Sequence, residues 1–180
     1  MHALKLGIGI AWVVFWVFWL SAALWAKKGA GSRRLTPLNG LTALSVALLI
    51  RVLRGGNLAV HGLVLGAIGA VIFACGLALA VWARIHLGRN WGMPMSQKAE
   101  PALVTSGPYR FVRHPIYSGL LLGVLGTALA TNLIGLIIVA VLGGYFYYSA
   151  SVEEKNLTAT FPTAYPAYQA RTKMLIPRLL

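Results

Sequence analysis

The sequence predicts an all-α integral membrane protein of about five transmembrane helices, and three observations predict it. Hydrophobic residues make up 58% of the 180 residues and charged ones only 11%, against roughly 25% charged in a soluble domain. The apolar residues fall in long continuous runs without strand-like alternation, so the backbone must be satisfied by helices rather than by a barrel. The last two runs are parted only by Thr131-Asn132, a link so short that they must form a tight antiparallel hairpin.

The first run, residues 6–26, is ~20 residues long and suits a bilayer core. It carries Trp12, Trp16, Trp19 and Trp25, and Lys27, Lys28, Arg33 and Arg34 close it. Ser21-Ala22-Ala23 could serve a cleaved leader, but the run exceeds the h-region of about 7–15 residues that a leader uses. The second run, 38–50, is short and spans only if Thr36, Arg51 and Arg54 snorkel at its ends. The third, 58–83, is long enough. A polar stretch, 84–113, precedes the hairpin runs 116–130 and 133–150. One domain covers residues 1–180, with spans filling 1–83 and the half that carries chemistry filling 84–180. Gly62 and Gly66, like Gly119 and Gly123, have the spacing that lets membrane helices approach closely. Gly119 also stands one turn past His114-Pro115, where it would leave space at the helix mouth.

A net charge of +13 raises the question of nucleic acid. The bases lie between apolar runs, so they report topology and anionic lipid headgroups, and no nucleic acid partner is expected. A five-span layout places thirteen of the 16 Lys and Arg on one side. The positive-inside rule then puts the polar stretch and the C-terminal tail in the cytoplasm and the N-terminus outside. Polar stretch and tail share a side even if the second run fails to span. Cys75 stands alone in an apolar run, and His2, His61, His86 and His114 are scattered without ligand spacing, so no metal is expected. The sequence carries no sign of oligomeric state.

Chemistry concentrates in Gly107-Pro108-Tyr109-Arg110-Phe111-Val112-Arg113-His114-Pro115-Ile116-Tyr117-Ser118-Gly119, which is polar, basic and aromatic yet leads straight into an apolar run. Pro115 suits the first turn of a helix, so backbone donors are free near His114. The hairpin returns Glu153-Glu154 to the same membrane face, and with Glu100 these are the only acids in the chain. Carboxylates at the C-terminus of a helix are opposed by its dipole and seek a cation. Pairing with Arg113, Lys155 or Arg171 would merely tie the tail to the hairpin. Alternatively, one carboxylate holds the ammonium group of a ligand whose other parts touch residues 103–119.

Leu103-Val104-Thr105-Ser106-Gly107-Pro108-Tyr109-Arg110, then Arg113-His114-Pro115-x-Tyr117-x-Gly119, then Glu153-Glu154 and Tyr165-x-x-Tyr168-x-x-Arg171 resemble the isoprenylcysteine carboxyl methyltransferase family over residues 97–180. The resemblance implies an S-adenosylmethionine site in the second half of the chain, with a lipophilic acceptor entering from the bilayer. It implies that Leu103, Val104, Tyr109, His114, Pro115, Ile116 and Tyr117 line the cofactor pocket with Glu153 at the methionine portion, and it adds Gln97 before them. The family often has an arginine shortly before the Glu pair, where this chain reads Tyr148-Ser149-Ala150-Ser151-Val152, and its frequent Phe-Gly in the tail is Phe161-Pro162 here.

The acceptor follows from chemistry only in part. The expected acceptor is a lipophilic, isoprenylcysteine-like carboxylate, which needs no general base at pH 7 and wants a cation to orient it, for which Arg171 is the candidate. An amine needs a base, for which His114 and Glu154 are the contenders. Tyr165, Tyr168 and Arg171 share a helical face, either as a lid over the pocket or as an anchor on headgroups. The competing readings are a phospholipid amine methyltransferase, a sterol-type membrane reductase using NADPH, and a non-catalytic membrane adaptor.

Overall fold

The computed structural model describes residues 2–24, 58–91 and 102–179. Its regular elements among these residues are all helices, with two isolated bridges and no strand. The helices are α1 (His2–Leu24), α2 (Leu63–Leu87), α3 (Pro115–Thr131), α4 (Gly135–Thr160) and the short α5 (Ala164–Gln169), with 3-10 turns at Gly88–Asn90 and Gly107–Arg110. Among the described residues α1, α2 and α4 are long and apolar enough to cross a membrane, and α3 is a shorter apolar helix. The chain is an all-α integral membrane protein. The expected span at 38–50 lies outside the described residues.

Three boundaries differ from the hydropathy reading, each for a local reason. Residues 58–62 are not helical: Val60 N–H donates to Thr131 O and Leu133 N–H to Leu58 O, both at 3.0 Å, so this segment runs beside the hairpin turn. The third run instead continues through Arg84 to Leu87. The fourth helix of the apolar set, α4, does not stop where hydropathy fades. It runs ten residues past Ala150, so Glu153 and Glu154 lie inside the helix rather than at its C-terminus. The dipole penalty expected for them is reduced, because it is confined to the last turn.

Lipid tails are as apolar as leucine, so helices in a bilayer adhere through close packing rather than through the hydrophobic effect. The α2–α3 contact follows that logic. Gly69, Phe73, Gly76, Ala80 and Ala83 on α2 face Gly119, Gly123, Gly126 and Ala130 on α3, antiparallel, at alternating spacings of three and four. The backbones touch. A Cβ placed on Gly119 would lie 2.6 Å from Ala80 N and 2.7 Å from Gly76 O. Gly119 therefore leaves no opening at the helix mouth, because the α2 backbone occupies that space. Gly62, by contrast, has nothing within 4 Å of such a Cβ.

Helix α1 covers this pair with a ridge of Ile8, Trp12, Phe15 and Trp19, all buried. Trp12 Nε1 donates to Thr127 Oγ1 at 3.0 Å, a bond between helices worth about 0.6 kcal/mol on average in membranes. At the other end of the ridge Arg84, 4% exposed, donates to Ala22 O at 2.6 Å and Gly88 O at 2.8 Å. Its guanidinium also lies 4.5 Å from the Trp91 ring centre. A cation thus meets the carbonyl ends of α1 and α2 together, where both dipoles favour it. The ends of α1, α2 and α4 and the start of α3 share one end of the bundle.

Because the α2 backbone cannot yield, Gly76→Val should lower stability by about 1–3 kcal/mol, the usual range for overpacking. Gly62→Ala should leave it unchanged. Thermal unfolding of the detergent-solubilised pair tests this, and equal losses in both variants would contradict the seam.

Candidate functional site

The site is built where the 3-10 turn Gly107–Arg110 delivers the chain into α3. Gly107 sits at φ 58°, and a Cβ there would strike the His86 ring, so the turn closes against α2 only with glycine. His86 Nε2 lies 2.9 Å from Ser106 Oγ. Tyr109 is buried, with its hydroxyl 3.5 Å from Ala83 O, and burial pushes its ionisation well above the usual range. Pro115 takes the first helical position and is buried with Ile116 in the first turn. Leu103 and Val104 are half-buried in the extended approach, Val104 packing on the core. Gln97 lies outside the described residues.

His114 is the junction of two carboxylates. Its Nε2 is 3.2 Å from Glu154 Oε1, and its Nδ1 is 3.5 Å from Glu153 Oε2. Burial alone would push its ionisation down, but the hydrogen bonds and charges of Glu153 and Glu154 outweigh it, and the net shift is upward. The imidazolium form, with a donor on each nitrogen, suits both partners.

The two glutamates do different things. Glu154, 9% exposed at its side chain, accepts Arg113 Nε at 2.7 Å and Arg113 Nη2 at 3.3 Å, a bidentate pair. Gln169 Nε2 donates to its other oxygen at 2.7 Å. Glu153, 25% exposed, accepts the Tyr117 hydroxyl at 2.5 Å beside its contact with His114. The Tyr117 ring lies parallel between His114, centre to centre 5.5 Å, and Phe146, 4.6 Å. One carboxylate is buried in a structural ion pair. The other is held at the edge of the cluster.

The tail closes over this cluster. Arg113 N–H donates to Lys173 O at 2.8 Å, His114 N–H to Met174 O at 3.0 Å and Ser118 Oγ–H to Leu175 O at 2.6 Å. Arg113 Nη1 reaches the Thr172 carbonyl. Tyr165 and Tyr168 are buried at 1% and 3% exposure, so they pack beneath the tail rather than on headgroups. The Tyr168 hydroxyl donates to Tyr109 O at 2.5 Å, and burial pushes its own ionisation up to about 12.

Arg171 departs from the expectation placed on it. The helix that should carry it beside the tyrosines ends at Gln169, and Arg171 is exposed beyond that end. Arg113, which the sequence offered only as a tie for the tail, is the guanidinium that enters the cluster. Glu154 is committed to Arg113 and Gln169, and His114 lies between the two carboxylates, which raise its ionisation. A groove of about 620 Å³ between α1 and α2 contains no titratable side chain and stands apart from this chemistry.

The phospholipid methyltransferase family model matches residues 64–164, which run from α2 through the turn, His114 and the Glu pair. The chain belongs to the phospholipid methyltransferase family. It is 36% identical over 96 residues to the cobalt-zinc-cadmium resistance protein CzcN of Cupriavidus metallidurans, covering 52% of this chain and 44% of that one. It is 31% identical over 115 residues to the nickel-cobalt-cadmium resistance protein NccN of Alcaligenes xylosoxydans xylosoxydans, covering 62% of this chain and 53% of that one. It is also 34% identical over 80 residues to a methanethiol S-methyltransferase of Pseudomonas sp., covering 44% of this chain and 30% of that one. The chain therefore matches about half or less of each relative's length. The matched residues include the turn, His114 and both carboxylates, and end before Tyr165.

Two outcomes test the electrostatics. Arg113→Met leaves Glu154 buried without its cation and should cost about 3 kcal/mol or more in thermal unfolding, whereas Arg113→Lys should recover part of the loss. Because the His114 ionisation is raised above 6.5, its contribution is complete below that pH and is lost as pH rises through the folded value. The melting temperature should therefore fall as pH increases above 6.5, and His114→Gln should flatten the slope. An unchanged slope in that variant would exclude His114 as the titrating group.

Proposed function

We propose that this chain is an S-adenosylmethionine-dependent methyltransferase acting on a lipophilic acceptor at the membrane face. Glu153 carries the reading: its carboxylate is fixed by Tyr117 and His114 yet keeps a quarter of its side-chain surface open. A carboxylate so held suits the ammonium of an amino-acid cofactor. The donor set fits, since an acid for the ammonium stands beside the turn at 103–109, which supplies apolar and aromatic surface. S-adenosylmethionine supplies an electrophilic methyl group on a sulfonium sulfur.

The residues around Glu153 act by position rather than by proton transfer. Glu154 and Arg113 lock the tail onto the start of α3, and Tyr165 and Tyr168 fill the space beneath, so water is excluded from one side of the cluster. Orientation in a dry site is the larger part of the barrier reduction open to such an arrangement. The positive-inside count supports a cytosolic position for this end of the bundle. The family's name supports a lipid-like acceptor, and the name of the methanethiol S-methyltransferase supports methyl transfer to sulfur. A carboxylate acceptor would take its cation from Arg171, which is exposed, because Arg113 is engaged by Glu154.

Glu153→Gln should weaken S-adenosylmethionine binding about tenfold or more, the scale of a lost charge-assisted bond. Arg171→Ala should leave that affinity intact. Isothermal titration of the detergent-purified protein measures both, with NADPH as the control ligand. Binding of NADPH and not of S-adenosylmethionine by the wild type would overturn the assignment.

A further inference from the structure

Ser149 and Tyr145 stand one and two turns before Glu153 on the same face of α4, an i, i+4, i+8 ladder leading from the apolar interior to the carboxylate. Ser149 is completely buried. Its hydroxyl and that of Tyr145 are both shielded from solvent and adjoin each other, and neither has another hydrogen-bond partner among the described residues. The Tyr145 hydroxyl lies beside Ser149 and within the field of Glu153, and its ring tilts against Phe146, which stacks on Tyr117. Two buried hydroxyls that meet only each other still have donor and acceptor capacity to offer a ligand.

We propose that the hydroxyls of Tyr145 and Ser149 hold the reacting head of the methyl acceptor, and that this head is a thiol on an apolar tail. The inference rests on the methyltransferase reading above. It selects the thiol by the chemistry of the surroundings. A carboxylate or phosphate in this position would need a countercharge, and the two buried guanidiniums among the described residues are engaged, Arg84 by carbonyls and Arg113 by Glu154. An amine would arrive protonated and an alcohol ionises far too weakly, so each needs a strong base that His114 and Glu154 do not provide.

A thiol asks for less. It arrives uncharged, unlike an amine, ionises far more readily than an alcohol, is weakly hydrated, and as a thiolate accepts hydrogen bonds from two hydroxyls. In the transfer the acceptor sulfur forms the new bond to the methyl carbon. The carbon–sulfur bond of the donor breaks, and its electron pair stays on the donor sulfur. The thiol proton passes to water, which reaches the site at the open edge of Glu153.

The test uses the full chain in detergent with S-adenosylmethionine and three acceptors of equal tail length: octanethiol, octanoic acid and octylamine. Octanethiol should be methylated in preference to the other two. Tyr145→Phe and Ser149→Ala should each raise its KM about tenfold while leaving S-adenosylmethionine affinity unchanged. A purely structural role would lower the melting temperature of both variants and leave the KM for octanethiol unchanged. Preference for the acid or the amine, or a KM unchanged in both variants, would overturn the assignment. Failure of the wild type to bind S-adenosylmethionine at all would remove the underlying reading and this one with it, and titration shows that separately from turnover.

Discussion

Lipid gives two helices no reason to come together beyond the fit of their surfaces, so the contact of α2 and α3 depends on glycine at Gly69, Gly76, Gly119 and Gly126. That seam fixes the axis of α3 against α2 with little freedom to slide, because each backbone lies in the other's groove. His114 is the cap of α3 and Arg84 closes α2, so both side chains inherit their positions from it. Helix α1 adds its aromatic ridge to the same pair. The polar end of the bundle is thus referenced to a rigid apolar contact some turns away.

Upon that frame the two neighbouring glutamates divide their work by a difference of one helical position. Glu154 turns toward Arg113 and Gln169 and is closed in. Glu153 turns toward Tyr117 and remains at the edge. Adjacent residues on a helix are about 100° apart in projection, which is enough to give one acid a cation and the other a phenol. His114 touches both and couples them, so the charge state of the structural pair and that of the open carboxylate are set together. Of the two accounts of the acidic pair, Glu154 meets the one in which a carboxylate ties the tail to the hairpin.

Much of this was legible in the sequence. Hydropathy places the helices, Pro115 announces the start of α3, and the short link at Thr131-Asn132 brings His114 back to the acids. What hydropathy does not register is a helix that continues after its apolar character fades, and so the ends of α2 and α4 were placed early. The three-residue spacing of Tyr165, Tyr168 and Arg171 suggested one face, but the helix is only six residues long and Arg171 falls beyond it. Tyr145 and Ser149 were also missed, although both sit at four-residue steps before Glu153. That spacing was the available signal, and it lay in a run read only for its hydropathy.

The pairing of residues 172–175 with the start of α3 has a consequence for how the protein is made. Arg113 and His114 present backbone donors whose partners are the carbonyls of Lys173 and Met174. Those partners emerge from the ribosome about sixty residues later. A nascent chain can have its helices already in the bilayer while this end still hydrogen-bonds water, with Arg113 and Glu154 open to it. Closure of this cluster therefore follows synthesis of the tail, after α3 and α4 have been made.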